Sequence, residues 1–121
     1  MANVFLVEDN ADMLFTFELM LKYNNFEIMG TAQDGDEAIE KYKEFSVKPD
    51  FVLLDHRMPK KDGLEVMNEL LKVNSSVIII FISADHSIKA EALSKGARAF
   101  LKKPVNEEML IDGINKVLKV A

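Results

Sequence analysis

Phe51-Val52-Leu53-Leu54-Asp55 sets a short apolar run directly against a carboxylate. The run is too brief for a helix and shows no polar alternation. A strand wetted on one face alternates apolar and polar residues, whereas one covered on both faces reads as a continuous apolar run, the habit of parallel sheets. Two other runs have the same form. Val4-Phe5-Leu6-Val7 ends at Glu8-Asp9, and Val77-Ile78-Ile79-Ile80-Phe81-Ile82 ends at Ser83. Phe26-Glu27-Ile28-Met29 and Ala99-Phe100-Leu101 are weaker strand candidates.

Helical spacing fills the intervals. Met13, Phe17, Met20 and Leu21 share one helical face, as do Ala38, Ile39 and Tyr42, and then Leu64, Met67, Leu70 and Leu71. Ile88, Ala92 and Leu93 follow, and then Leu110, Ile114, Val117 and Leu118. Asn10, Asp34 and Asn106 stand where N-caps belong, and Glu37 lies at capping-box distance from Asp34. Gly96 is placed for a helix C-cap. A strand followed by a helix, repeated through the chain, predicts an α/β fold with helices on both faces of a parallel sheet. Right-handed crossovers leave the flavodoxin-like, doubly wound order 2-1-3-4-5 as the expected topology of a five-stranded (βα)5 domain. The expected domain covers residues 1–121, with the last helix running almost to Ala121 and no output domain.

The 121 residues amount to one domain, large enough to bury a core without staples. Hydrophobic residues make up 49% of the chain, which argues against disorder. There is no cysteine, so disulfides and thiolate metal sites are excluded. Met1 leads straight into a strand-like run rather than a basic segment and an apolar leader, and no apolar stretch approaches the roughly 20 residues that span a bilayer. The cytoplasm is the expected location, with no membrane partner. A net charge of −5 leaves no basic footprint, so the domain is not expected to bind nucleic acid by itself.

Open parallel sheets bind ligands beyond the carboxyl ends of their strands. The polar residues that follow the apolar runs are Glu8, Asp9, Asp55, Ser83, Lys102 and Lys103. Adjacent carboxylates repel one another unless one is protonated or a cation sits among them. Oxygen ligands without His or Cys favour a hard cation, and Mg²⁺ needs only one or two carboxylates. Such a site suits phosphoryl transfer, with the carboxylate of Asp55, after the central strand, as acceptor. Each residue also has a plainer reading alone. Asp9 or Asn10 serves as a helix cap, Ser83 as a turn residue, and Lys60-Lys61 and Lys102-Lys103 as solvated charge. The gathering of all of them on one sheet edge favours chemistry.

These residues fall in stretches that together resemble the receiver domain of two-component response regulators, in its stand-alone, chemotaxis-regulator-like form. The stretches are Val7 to Asn10, Ala32 to Ala38, Leu54 to Gly63, Ser83-Ala84 and Gly96 to Pro104. They span essentially the whole chain in the family's order. The resemblance implies that Asp55 is the phosphoacceptor, that Asp9 ligates Mg²⁺ directly and Glu8 mostly through water, and that the backbone carbonyl of Arg57 is a further ligand beside Asp55. It implies that Ser83 is the switch hydroxyl, that Lys103 pairs with the phosphate, that a cis bond to Pro104 aims the lysine, and that Phe100 is the aromatic switch. Phe100 lacks the hydroxyl of the tyrosine often found there. Arg57 and Asp85 flank the expected phosphoryl position, and their charges are opposite. Gly63 is expected to supply a backbone conformation that a Cβ resists. His56 is expected to be a packing or solvent-facing residue, and His86 a surface one.

The phosphodonor implied is a histidine kinase or a phosphotransfer protein. A downstream effector would sense a surface of the fourth helix, fifth strand and fifth helix, with Ile88, Lys89, Glu91, Ala92, Lys95, Arg98, Phe100 and Lys102 as candidates. The expected state is a monomer or weak dimer. The domain is not expected to be an enzyme beyond its own phosphorylation and dephosphorylation. A haloacid-dehalogenase-like phosphohydrolase is disfavoured because its second acid would fall at Arg57. A degenerate receiver acting only as an interaction module is disfavoured by the full acidic set.

Overall fold

The structure, a computed structural model, describes residues 1–119. The expected domain end at Ala121 therefore lies outside the described residues. In chain order the elements are β1 (Asn3–Val7), α1 (Ala11–Tyr23), β2 (Glu27–Ala32), α2 (Gly35–Glu44), β3 (Phe51–Leu54), α3 (Gly63–Val73), β4 (Ile79–Ser83), a 3₁₀ turn (His86–Ile88), α4 (Lys89–Ser94), β5 (Ala99–Lys102) and α5 (Glu107–Leu118). The sheet has five parallel strands in the order β2-β1-β3-β4-β5, as the alternation predicts.

Side chains alternate across the strands into two apolar layers. Phe5, Val7, Val52, Leu54, Ile79 and Phe81 join Ala38, Tyr42, Met67, Leu70 and Ala92 on the face covered by α2, α3 and α4. Val4, Leu6, Phe51, Leu53, Ile80 and Ile82 join Phe17, Leu21, Leu110 and Ile114 under α1 and α5. Covering both faces is what requires the uninterrupted apolar runs. Among the described residues no helix is long and apolar enough to cross a membrane.

Several local expectations shift. β4 begins at Ile79 rather than Val77, because the Val77 N–H closes a turn onto the Asn74 carbonyl at 3.1 Å. β2 extends past Met29 to Ala32, since backbone pairing with Phe5, Leu6 and Val7 holds Gly30, Thr31 and Ala32 despite their weak apolar pattern. Asp34 does cap α2, but Glu37 reaches back to the Gln33 N–H at 2.7 Å instead of the Asp34 N–H. The reciprocal capping box belongs to Asp62 and Glu65, at the start of α3. Asn10 and Asn106 cap α1 and α5 as expected. Gly96, at φ 127°, follows the C-cap of α4, where the Ala97 N–H bonds the Ala92 carbonyl and the Gly96 N–H bonds that of Leu93. This is a Schellman ending, which glycine accommodates without a Cβ penalty.

Candidate functional site

Backbone pairing levels the strands so that their polar ends meet. Val7 pairs with Leu54, and Leu54 with Phe81. The ladder continues one step further, for the Glu8 N–H donates to the Ala32 carbonyl at 3.0 Å and the Asp55 N–H to that of Val7 at 3.0 Å. Glu8 and Asp55 are thereby fixed side by side, both buried. Asp9 stands exposed at the rim. One carboxylate oxygen from each of Glu8, Asp9 and Asp55 lies within 4.8 Å of the others. Asn10 leaves the cluster to cap α1, its Oδ1 accepting from the Met13 N–H.

Lys103 reaches in from the end of β5. Its Nζ lies 2.8 Å from Glu8 Oε1 and 3.5 Å from Asp55 Oδ2. The Lys103 N–H donates to the Ser83 carbonyl at 3.0 Å, which sets the lysine beside the serine, and the Lys103–Pro104 peptide is cis, as expected. Ser83 is buried, and its Oγ accepts from the Asp85 N–H at 3.0 Å. These groups line one cleft of about 370 Å³, together with Met13, Arg57 and Ala84. Lys102 points away and is exposed, so of the two lysines only Lys103 joins the site.

Burial pushes the Asp55 carboxyl up to about 7, and the Glu8 charge adds to the rise while Lys103 opposes it. A single ammonium therefore leaves the carboxylates undercompensated. The donor set is all oxygen, tightly spaced and electron-rich, which fits a hard divalent cation.

The loop after β3 frames the site. The His56 N–H donates to Asp55 Oδ1 at 2.8 Å, and the Gly63 N–H closes the loop onto the His56 carbonyl at 2.8 Å. A Cβ at Gly63 would lie 2.6 Å from the Asp55 carbonyl oxygen, so close approach, rather than the expected backbone conformation, requires glycine there. The His56 side chain packs inside, and its Nδ1 has no hydrogen-bond partner among the described residues. Arg57 and Asp85 pair across the mouth at 3.0 Å. Asp85 also accepts from the Ser87 N–H and hydroxyl. With Arg57, these bonds hold the Asp85 carboxyl below the usual carboxylate range, the Ser87 hydroxyl contributing most.

Phe100 is half-buried on Phe81, with ring centroids 6.3 Å apart. Of the candidate surface residues, Lys89, Glu91, Lys95, Arg98 and Lys102 are exposed, and Ile88 is half-buried. Ala92 is not a surface residue. It is fully buried, because α4 turns it into the core. A second hollow, about 510 Å³, lies between β5 and α5 and is lined in part by Arg98, Leu101, Met109 and Lys116. It shares no lining residue with the cleft that holds Glu8, Asp9 and Asp55.

The model of the response regulator receiver domain matches residues 4–115. The chain is 35% identical over 117 residues to the chemotaxis protein CheY of Bacillus subtilis, covering 95% of this chain and 96% of that protein. It is also 35% identical over 118 residues to CheY of Thermotoga maritima, covering 96% and 97%. Among solved structures, the CheX–CheY–BeF₃–Mg²⁺ complex from Borrelia burgdorferi contains a chain that superposes with a TM-score of 0.92 at 30% identity, covering 97% of this chain and 89% of that one. The response regulator TrrA of Thermotoga maritima, in complex with Mg²⁺-BeF, superposes at 0.86 with 30% identity, covering 97% and 99%.

Proposed function

The chain belongs to the response regulator receiver domain family, and from that premise we propose that its Asp55 accepts a phosphoryl group from a partner's phosphohistidine. The observation that carries the proposal is the buried Asp55 carboxylate set between Glu8 and the Lys103 ammonium at the strand ends. An Asp55 oxygen forms a bond to phosphorus as the phosphorus–nitrogen bond of the donor breaks, and the freed imidazole leaves with a proton. Lys103 is near enough to meet the incoming phosphoryl oxygens, and Ser83 offers them a hydroxyl donor. Glu8, Asp9, Asp55 and the carbonyl of Arg57 are the proposed holders of Mg²⁺. When bound, that ion supplies charge compensation for the carboxylates and the transferring group. The relatives solved with Mg²⁺ and a beryllium fluoride support this assignment.

The product has extra negative charge and new acceptor oxygens. In this reading Ser83 and Phe100 relay that change to the surface of α4, β5 and α5, where an effector protein binds. The hollow between β5 and α5 gives such an effector an apolar foothold beside Arg98 and Lys116. The domain works in the cytoplasm, as a monomer or weak dimer. The phosphodonor is a histidine kinase or phosphotransfer protein, and the domain's only catalysis is of its own phosphorylation and dephosphorylation.

The test is phosphate incorporation from acetyl phosphate with Mg²⁺. Wild-type protein is expected to gain one base- and hydroxylamine-labile phosphoryl group, and Asp55→Asn none. Absence of incorporation in the wild type would leave only the interaction-module reading.

A further inference from the structure

A tyrosine at the aromatic switch position has a hydroxyl to anchor its ring in one place or another. Phe100 has none, so its position must be set by ring contacts alone. One such contact is Phe81, the strand neighbour stacked beneath it. A second is His86, whose ring lies 6.0 Å from that of Phe100 with the planes 83° apart. That edge-to-face arrangement is the favoured one for aromatic pairs. His86 is itself exposed, so its ring is not held by core packing. It is held by the backbone that carries it.

That backbone is tied at both flanks. His86 opens the single 3₁₀ turn ahead of α4, and Asp85 caps the turn by accepting from the Ser87 N–H. The same carboxylate takes the Ser87 hydroxyl and the Arg57 guanidinium. The Asp85 N–H donates to Ser83 Oγ. A short hydrogen-bonded unit, Asp85-His86-Ser87, therefore hangs from the Ser83 hydroxyl at one end and presents an aromatic ring to Phe100 at the other.

We infer that His86 is the positioning residue for Phe100, holding the ring where it lies while Ser83 Oγ is bound to the Asp85 N–H. The inference rests on the phosphoacceptor reading above. When Ser83 is drawn toward a phosphoryl oxygen, the Asp85 N–H loses its acceptor, the unit shifts, and the His86–Phe100 contact opens. The contact thus belongs to the unphosphorylated state and biases the domain toward it. By linkage, removing it raises the affinity for anything that binds the other state.

Beryllofluoride with Mg²⁺ is the probe, titrated into the full chain. His86→Ala is expected to bind it about two- to tenfold more tightly, the range that loss of one aromatic pair allows. The ring resonances of Phe100 are expected to move in that variant, while those of Phe26 and Phe51, paired on the opposite face of the sheet, stay in place. His86→Phe restores a ring and is expected to return both readouts toward wild type. Unchanged or weaker beryllofluoride binding by His86→Ala overturns the inference, as does failure of His86→Phe to restore. A wild type that takes up no beryllofluoride overturns the phosphoacceptor reading and the inference together, and shows itself before any variant is compared.

Discussion

Lys103 stands within reach of two buried carboxylates, and the balance is uneven: one ammonium faces Glu8 and Asp55 while Asp9 adds a third acid at the rim. Burial, with the Glu8 charge beside it and Lys103 only partly opposing, lifts the Asp55 carboxyl to about 7 from an ordinary 3.8. A group whose pKa is raised on folding favours the fold in its protonated form. For Asp55 this contribution is whole below the unfolded value and is lost as pH rises through about 7. Metal-free wild-type protein is therefore expected to lose melting temperature between about pH 5 and pH 8 relative to Asp55→Asn, and Mg²⁺ is expected to narrow the gap at the upper end. Parallel thermal melts of both proteins check this, and equal slopes with pH would refute it. A second residue-scale expectation concerns the pair across the mouth. Arg57 is 76% exposed at its side chain, so the ion pair adds little stability. Its expected effect is on water reaching the phosphoryl group. Arg57→Ala is expected to shorten the aspartyl-phosphate lifetime by a few-fold, with melting temperature nearly unchanged, since an exposed pair adds little to stability. An unaltered lifetime would refute it.

The element that most constrains the site is the start of α3. Gly63 lies against the backbone of Asp55 and His56, and Asp62 and Glu65 lock the helix entry by reciprocal bonds. Gly63→Ala forces a Cβ toward a backbone carbonyl that has little freedom to retreat, at an expected cost of about 1–3 kcal/mol. Asp62→Ala removes one cap at about 0.5–2 kcal/mol. Chemical denaturation measures both. Only the first is expected also to slow phosphorylation from acetyl phosphate, because it moves the proposed acceptor, Asp55. The buried strands and three of the N-caps were legible in the sequence, since continuous apolar runs and Asn or Asp ahead of a periodic face are local signals. The Asp62–Glu65 box was equally local, but Asp62 follows Lys60-Lys61, where an acid also reads as solvated charge. β2 was legible only in its first half, because an edge strand is specified by pairing more than by side chains. α4 misled in the other direction. A six-residue helix preceded by a 3₁₀ turn has too little periodicity to show which residue faces inward, and Ala92 went to the core.

At the scale of the molecule, the candidate site exists because five strands end on one edge, so its carboxylates are positioned by the most buried part of the fold. That explains why strand-end acids read from sequence met in space, whereas the His86–Phe100 contact, which depends on the path of a loop between β4 and α4, carried no sequence signal. It also divides the molecule mechanically. The central strands β1, β3 and β4 are buried on both faces and flanked by neighbours, while β5 is a half-exposed edge strand backed by the short α4. Opening free energy falls where apolar contacts are few. Amide exchange is therefore expected to be slowest in β1, β3 and β4, approaching the global rate, and faster by orders of magnitude in residues 84–102. Beryllofluoride and Mg²⁺ are expected to act on two scales at once. A ligand that binds only the folded state slows global exchange by mass action, which raises protection across the central strands uniformly. If the segment from Ser83 to Lys102 is the switching element, its protection changes by a different factor, because the bound state has a different local structure and not merely a larger stability. A uniform change over the whole chain, from β1 to β5, would show that the site binds its ligand without a switch.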